Sequence, residues 1–275
     1  MGDKPGAIIA IDKPVGWTSF QVVNKIKWHI RRTFGIKKIK IGHAGTLDPL
    51  ASGLLLICLG GATKMIEQLQ SGTKVYSGTM VLGATTPCFD LERPIDHFFP
   101  SDHITAQAIE KSRIAFTGTF LQYPPAFSAV KVEGQRAYEE ARSGIEVKTT
   151  PKMVTVYEFS VTDFRPGQHD GTALEKDWQY EQAGDTRELY RKPMGKVPVG
   201  LPQLDFTITC SKGTYIRSIA RDFGTSLHSG AFLSALRRTR IGEYTIDQAI
   251  TPDNIETEIN TANPQYGFLM ASTQQ

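Results

Sequence analysis

The chain has 275 residues, of which 40% are hydrophobic and 21% charged, with a net charge of +3. This composition is ordinary for a globular protein with a buried core, and it permits nucleic-acid binding without requiring it. The sequence has no apolar stretch near the ~20 residues that span a bilayer and no signal pattern at its start. Cys58, Cys88 and Cys210 lie far apart without metal-ligand spacing, so we expect reduced thiols, no metal site, no membrane association and a cytoplasmic location.

Short strands and helices alternate in the first half of the chain. A helix is predicted to begin at Thr18 or Ser19, because Thr18 and Gln21 form a capping-box pattern. Its hydrophobic residues, Val23, Ile26 and Ile30, recur on one helical face. The remaining predictions are strands over residues 7–11, 39–41, 53–59 and 74–82, and helices over residues 63–69 and 105–116.

The second half of the chain has the same mixed character. Helices are predicted over residues 135–142, 213–227 and 231–237, and strands over residues 204–210 and 241–244. Residues 147–164 read as two strands broken at Pro151, and the tail has room for one short helix. The polar residues 165–203 show little hydrophobic periodicity, which indicates an insertion. Without a regular βαβ rhythm, this order favours an α+β fold with a mixed or antiparallel sheet.

Asp48 is the only acidic residue between positions 41 and 65. It lies in the segment Gly-His-Ala-Gly-Thr-Leu-Asp-Pro-Leu-Ala-Ser-Gly, residues 42–53, directly before an apolar run. Glycine and proline there indicate a shaped loop that holds one carboxylate beside a buried strand. Taken alone, the pattern is more typical of a turn whose carboxylate binds nearby backbone amides. Carboxylates held this way also serve in catalysis.

This segment resembles the catalytic motif of the TruB-type pseudouridine synthases, G-H-x-G-x-L-D-P-x-A-x-G. Further family motifs follow the same order at residues 11–16, 74–76, 123–131 and 210–217, so the resemblance extends from about residue 7 to about residue 247. It implies a pseudouridine synthase fold, with a central mixed sheet, flanking helices and an active-site cleft, in a catalytic domain of residues 1–250. Residues 121–149 would form an RNA-gripping thumb, and residues 165–203 are atypical of the family. The tail, residues 251–275, is shorter than the ~50 residues of a small domain, so no C-terminal PUA domain is expected.

The resemblance also implies catalytic roles for three residues. Asp48 would be the catalytic carboxylate, either attacking C1′ of the ribose or removing the C2′ proton. Arg217 would pair with Asp48 and keep it ionised, because a neighbouring cation favours the charged form. Tyr76 would stack on the uracil after it leaves the RNA stack. Outside the family context, Tyr76 would be read as a packing residue.

Further residues match family positions that contact the substrate. His43 would contact RNA and help the base to flip, and Leu236 would line the uracil pocket. Asp90 falls on a polar family position, although Pro87 stands where the family pattern has an aspartate. Cations beside a cleft neutralise phosphates, and the expected RNA contacts are Lys64, Lys74, Lys131, Arg136, Lys212, Arg221, Arg237, Arg238 and Arg240.

Pseudouridine formation oxidises nothing, so no cofactor is expected. The implied activity is a stand-alone isomerase acting on the T-loop uridine of tRNA at position 55, as a monomer that binds the T-arm without a guide RNA. One alternative is a tRNA-binding folding factor whose catalysis is dispensable. A guide-dependent synthase relies on a C-terminal domain that is not expected here. A glycosidase is disfavoured because it needs two carboxylates and these motifs supply one.

Overall fold

The computed structural model describes residues 5–125, 131–132, 135–136, 149–168, 170–174, 197–260 and 262–266. The chain divides into two compact units. Unit 1 contains residues 1–74 and 237–275, and unit 2 contains residues 75–236. Unit 1 therefore joins the two ends of the chain, while unit 2 is one continuous segment.

The described residues form thirteen strands and six α-helices. The strands are β1 (Gly6–Lys13), β2 (Ile41–His43), β3 (Ser52–Gly60), β4 (Lys74–Leu82), β5 (Ala84–Thr85), β6 (His97–Phe98), β7 (Gly118–Gln122), β8 (Lys131–Val132), β9 (Gln135–Arg136), β10 (Lys152–Arg165), β11 (Gln203–Cys210), β12 (Ala231–Ile241) and β13 (Tyr244–Thr245). The helices are α1 (Ser19–Phe34), α2 (Ile66–Ser71), α3 (Ala106–Ala115), α4 (Gly171–Leu174), α5 (Ile216–Ser226) and α6 (Ile255–Glu258). Strand β12 begins in unit 2 and ends in unit 1.

Strand β3 organises the sheet of unit 1. It pairs antiparallel with β1, where Ile9 lies opposite Ile57, and antiparallel with β2. The second half of β12 pairs parallel with the beginning of β3, where Arg237 lies opposite Ser52. The sheet is therefore mixed, as predicted. The continuous burial of β3 from residue 53 to residue 59 explains why its sequence is an unbroken apolar run.

Helix α1 covers the core of unit 1 and begins where the sequence predicted. The Thr18 hydroxyl accepts a hydrogen bond from the Gln21 amide at 3.1 Å, and the Gln21 side chain accepts one from the Thr18 amide at 2.8 Å. These bonds satisfy two amides that the helix leaves unpaired at its start. Ile26 and Ile30 are fully buried on the inner face. The capping-box prediction is confirmed.

The tail takes part in the core of unit 1. Ile255 on α6, Ile259 and Tyr266 are buried among the residues that α1 covers. The His29 ring nitrogen Nε2 lies 2.5 Å from the Ile259 carbonyl oxygen. The predicted short helix is therefore present, and its apolar side chains stabilise unit 1 by burial.

Unit 2 is built on strands in the order β12, β4, β11, β10 and β7. Strand β10 pairs antiparallel with both β11 and β7. Phe159, Phe206 and Phe223 meet in the core, with ring centroids 5.5 Å and 6.2 Å from the central Phe159 ring. Because α5 contributes Phe223 to this cluster, aromatic packing fixes the helix on the sheet.

The helix predicted for residues 231–237 is wrong, because these residues belong to strand β12. Leu233 donates its amide hydrogen to the Phe89 carbonyl at 3.0 Å. A Cβ atom at Gly78 of β4 would come 2.4 Å from the Ala235 carbonyl oxygen, so the two backbones pass very close together. These contacts come from distant parts of the chain and outweigh the helix propensity of a segment rich in Ala and Leu.

Other predicted boundaries also need correction. Residues 152–165 form the single strand β10, which begins directly after Pro151 and contains two register shifts. Helix α5 begins at Ile216 instead of residue 213. The Gln122 side chain explains this start, because it accepts from the Tyr215 amide at 2.8 Å and donates to the Tyr215 carbonyl at 3.1 Å. These two hydrogen bonds fix Tyr215 at the start of the helix, directly after the turn at residues 212–213.

The predicted thumb and insertion lie mainly outside the described residues. Of the predicted helix at residues 135–142, Gln135–Arg136 forms strand β9, which pairs with β8, and the rest is outside them. Within the insertion, the Asp170 carboxylate accepts a hydrogen bond from the Ser101 amide at 2.6 Å, and Leu201 is buried. Both ends of residues 165–203 are therefore joined to the body of unit 2.

Candidate active site

The loop that carries Asp48 lies in unit 1, and backbone contacts fix it on both sides of this residue. The Ala44 amide donates to the Leu56 carbonyl at 2.9 Å. On the other side, the Ala51 amide donates to the Asp48 carbonyl at 3.1 Å. The Leu47 amide donates to the Ser19 hydroxyl at 3.0 Å. The loop is therefore held by β3 and by the start of α1, which limits the positions that the half-buried Asp48 side chain can take.

Lys13, which has no exposed surface, supports this loop from the end of β1. Its ammonium group donates to the carbonyl oxygens of Trp17 at 2.7 Å, Pro14 at 3.0 Å and Pro49 at 3.3 Å. Burial lowers the pKa of Lys13 to about 8, although the neighbouring Asp48 carboxylate acts in the opposite direction. Lys13 is therefore a buried cation close enough to Asp48 to interact with its charge, and it fixes the carbonyl of Pro49, the next residue.

The lowered pKa of Lys13 predicts how stability depends on pH. Below pH 8 the lysine is charged in both the folded and the unfolded chain, so its burial has a constant cost. Between about pH 8 and 10.5, the unfolded chain retains the proton that the folded chain has lost, so the free energy of unfolding rises with pH. We expect urea unfolding to show wild type gaining stability relative to Lys13→Met across this window. If the free energies of unfolding of the two proteins changed with pH in parallel, the lowered pKa of Lys13 would be contradicted.

Arg238 holds the other side of the loop. It is 1% exposed and donates to the carbonyls of Leu54 at 2.8 Å, Gly45 at 3.0 Å and Thr46 at 3.5 Å. A Cβ atom at Gly53 would come 2.3 Å from the Arg238 carbonyl oxygen, and the φ of Gly53 is +101°. The expectation that Arg238 contacts RNA is therefore corrected, because its guanidinium is used within unit 1.

His43, at the end of β2, is half-buried next to the same cation. Burial, and then the Arg238 guanidinium, lower the pKa of His43 below its ordinary value of 6.5. The ring is therefore neutral at pH 7. Its Nδ1 atom is buried and has no hydrogen-bond partner among the described residues, which is uncommon for a buried polar atom.

In unit 2, Arg217 and Asp90 form a buried pair. Arg217 on α5 is 4% exposed and Asp90 is 6% exposed. The Arg217 Nε lies 3.7 Å from the Asp90 carboxylate, and Nη1 donates to the Cys88 carbonyl at 3.1 Å. The same carboxylate accepts from the Glu92 amide at 2.9 Å. The geometry thus gives Arg217 a partner that the sequence analysis did not assign to it, and its pairing with Asp48 stays a prediction.

Tyr76 and Leu236 lie on neighbouring strands of unit 2, on β4 and β12. Both are partly buried and pack against the same hydrophobic core. Leu236 was expected on a helix and is found on a strand. Each residue therefore combines a packed face with an accessible one, and its role at the uracil stays a prediction.

The expected RNA-contacting cations differ in their surroundings. Lys64, Lys212 and Arg240 are exposed. The side chains of Lys131 and Arg136 lie outside the described residues. Contrary to expectation, Lys74 is buried, where it donates to the Gly72 carbonyl at 2.6 Å and to the Gln70 carbonyl.

Two arginines of the same set are held by neighbouring carboxylates. Arg237 pairs with Asp12 at 2.7 Å within unit 1. Arg221 pairs with Asp222 at 2.7 Å within unit 2 and lies over the Phe89 ring. In the described part of the chain, no cluster of His, Cys, Asp and Glu could hold a metal ion, and no helix is both long and apolar enough to cross a membrane.

Comparison with known proteins places these residues in a family. The profile of the TruB family pseudouridylate synthase N-terminal domain matches residues 31–216. A tRNA pseudouridine synthase B of Bacteroides fragilis is 42% identical over 252 residues, covering 92% of this chain and 93% of its own length. The protein of that name from Parabacteroides distasonis is 44% identical over 251 residues, covering 91% and 92%. The one from Thermobifida fusca is 41% identical over 252 residues, covering 91% of this chain and 74% of its own length.

Solved structures agree on the fold. A chain in the crystal structure of a Cbf5-Nop10-Gar1 complex superimposes with a TM-score of 0.61 at 24% identity. The match covers 97% of this chain and 59% of that chain, so this chain spans about three fifths of that structure's length. The fold is that of a pseudouridine synthase, which is an isomerase. The chain belongs to the TruB family of these enzymes.

Proposed function

We propose that this protein is a stand-alone tRNA pseudouridine synthase that isomerises the T-loop uridine at position 55, with Asp48 as its catalytic carboxylate. The observation that carries the proposal is the loop of residues 42–53. Two buried cations hold the backbone of this loop on either side of its one carboxylate in sequence: Arg238 binds the Gly45 carbonyl, and Lys13 binds the Pro49 carbonyl. The relatives named tRNA pseudouridine synthase B support tRNA as the substrate.

The reaction breaks the bond between N1 of uracil and C1′ of ribose, and a bond from C5 to C1′ replaces it. The proton on C5 leaves and N1 gains one, so no atom is oxidised or reduced. Asp48 serves this reaction either by attacking C1′ or by removing the C2′ proton. In both routes the carboxylate must be ionised and fixed beside the sugar. The backbone contacts on both sides of Asp48 supply the fixed position.

The target base has to leave the RNA stack, which costs a few kcal/mol. Tyr76 offers an aromatic face, and stacking on such a face is worth about 1–3 kcal/mol per base. Leu236 provides an apolar surface for the uracil. His43 is neutral and half-buried at the end of β2, so the accessible part of its ring can contact the RNA as the base flips. Asp90 acts through Arg217, whose guanidinium it holds in place.

The proposal is tested in cells that lack the protein. We expect pseudouridine at tRNA position 55 to disappear and to return when wild type is supplied, but not when Asp48→Asn is supplied. Unchanged modification in the deletion strain would count against the proposal. Restoration of tRNA folding by Asp48→Asn, with no effect of either protein on modification, would favour the folding-factor alternative.

A further inference from the structure

Charge is distributed very unevenly along this sequence. Residues 13–47 contain eight Lys and Arg residues and no Asp or Glu. Since the whole chain carries a net charge of +3, the remaining residues together carry −5. Positive charge is therefore concentrated in α1 and in the segment that joins α1 to β2, although the protein as a whole is nearly neutral.

Four of these eight cations lie on one exposed surface of unit 1. Lys27, Lys37, Lys38, Ile39 and Lys40 line a surface cavity of about 310 Å³, and we call this surface the α1–β2 basic face. Its four lysines are exposed. None of the four forms an ion pair with an acidic side chain in the described parts of the chain, whereas the neighbouring Lys25 pairs with Asp253 at 3.3 Å.

The chemistry of this face favours a polyanion over a small ligand. Pockets for small organic molecules are lined mainly by apolar side chains, and here four of the five lining residues are lysines. Clustered like charges repel one another, so they are best compensated by a partner with many negative charges. Lysine binds phosphate as a point charge, whereas the planar guanidinium of arginine is the group better suited to paired hydrogen bonds. These features suit a phosphate backbone read without sequence specificity.

We propose that the α1–β2 basic face binds the phosphate backbone of the substrate RNA, outside the loop that contains the modified uridine. Naming this RNA as tRNA rests on the proposed function. The face is continuous with the candidate catalytic loop, because Lys40 directly precedes β2 and β2 ends at His43. The Gly60 amide donates to the Lys40 carbonyl at 2.9 Å, which fixes this junction on the end of β3. Phosphates bound here would position the RNA on the unit that carries Asp48.

The test compares two double variants that each remove two exposed positive charges. Lys37→Gln/Lys38→Gln alters the basic face, and Lys111→Gln/Lys152→Gln alters exposed positions of unit 2. Filter binding of a tRNA transcript across a range of KCl concentrations gives the slope of log K against log salt. Each lost phosphate contact should reduce this slope by about 0.7–0.9. We expect a smaller slope and weaker binding for the first variant, and the wild-type slope, affinity and single-turnover rate for the second.

Equal slopes for wild type and Lys37→Gln/Lys38→Gln would overturn the proposal. Binding of wild type to phosphatidylglycerol vesicles that is lost in this variant, with tRNA binding unchanged, would also overturn it and assign the face to a membrane surface. A wild-type protein that forms no pseudouridine, yet binds tRNA with a slope that depends on Lys37 and Lys38, would refute the proposed function and leave the RNA-binding face in place.

Discussion

Replacement of Asp48 by Asn is expected to lower the single-turnover rate of uridine isomerisation by about 10³-fold or more, in line with the loss of an acid–base group. Asparagine has the same shape and still accepts a hydrogen bond, but it neither attacks C1′ nor removes the C2′ proton. The backbone contacts of the loop do not involve the carboxylate. The fold and tRNA affinity should therefore be retained, as measured by circular dichroism and filter binding.

A matched control for this variant is Asp253→Asn. The Asp253 carboxylate is 92% exposed and pairs with Lys25 on the surface of unit 1. The same chemical change at this position should leave the isomerisation rate unchanged. A rate for Asp48→Asn within tenfold of wild type would exclude Asp48 as the catalytic carboxylate.

Substitution of Arg217 by Met is expected to lower the free energy of unfolding by about 3–5 kcal/mol, because it leaves the buried Asp90 carboxylate without its cation. The Cys88 carbonyl also loses a donor. A loss of this size is a large part of the 5–15 kcal/mol that stabilises a typical domain. Urea unfolding followed by circular dichroism measures the change.

A double-mutant cycle separates the contribution of the Arg217–Asp90 pair to the free energy of unfolding from the other effects of each substitution. Arg217→Met/Asp90→Asn removes both charges, and we expect it to be more stable than Arg217→Met alone. Arg165→Met is the control, because Arg165 forms exposed ion pairs with Asp163 and Asp205, which contribute little. If Arg217→Met lowers the free energy of unfolding by no more than Arg165→Met does, the buried pair does not stabilise unit 2.

Local signals in the sequence located much of the fold. The capping box at Thr18, the unbroken apolar run of β3 and the alternation of β4 are properties of neighbouring residues, so they could be read directly. Strand β12 could not be read in this way. Its segment favours a helix by composition, and its strand structure depends on partners such as β4 that lie about 150 residues earlier in the sequence. Pairing between distant segments leaves no mark on the local hydrophobic period.

The residues of the candidate site also divide into those that local sequence signals identify and those whose surroundings depend on distant segments. The composition of residues 42–53 and the family motif identified Asp48. The roles of Lys13 and Arg238 were missed, because a lysine or arginine in a sequence is usually exposed. Their burial depends on carbonyl groups brought from other segments, such as the Gly45 carbonyl that Arg238 reaches across 193 positions of sequence. One signal was available, since Lys13 and Pro14 belong to the first family motif.

The central claim is tested most directly with tRNA transcripts that carry tritium at C5 of their uridines. Wild-type protein is added without cofactor or guide RNA to a transcript with uridine at position 55 and to a matched transcript with cytidine there. Because isomerisation at one uridine removes one C5 proton, the first transcript should release about one equivalent of tritium and the second none. Equal release from both transcripts, or no release from either, would contradict the assignment of position 55 as the target.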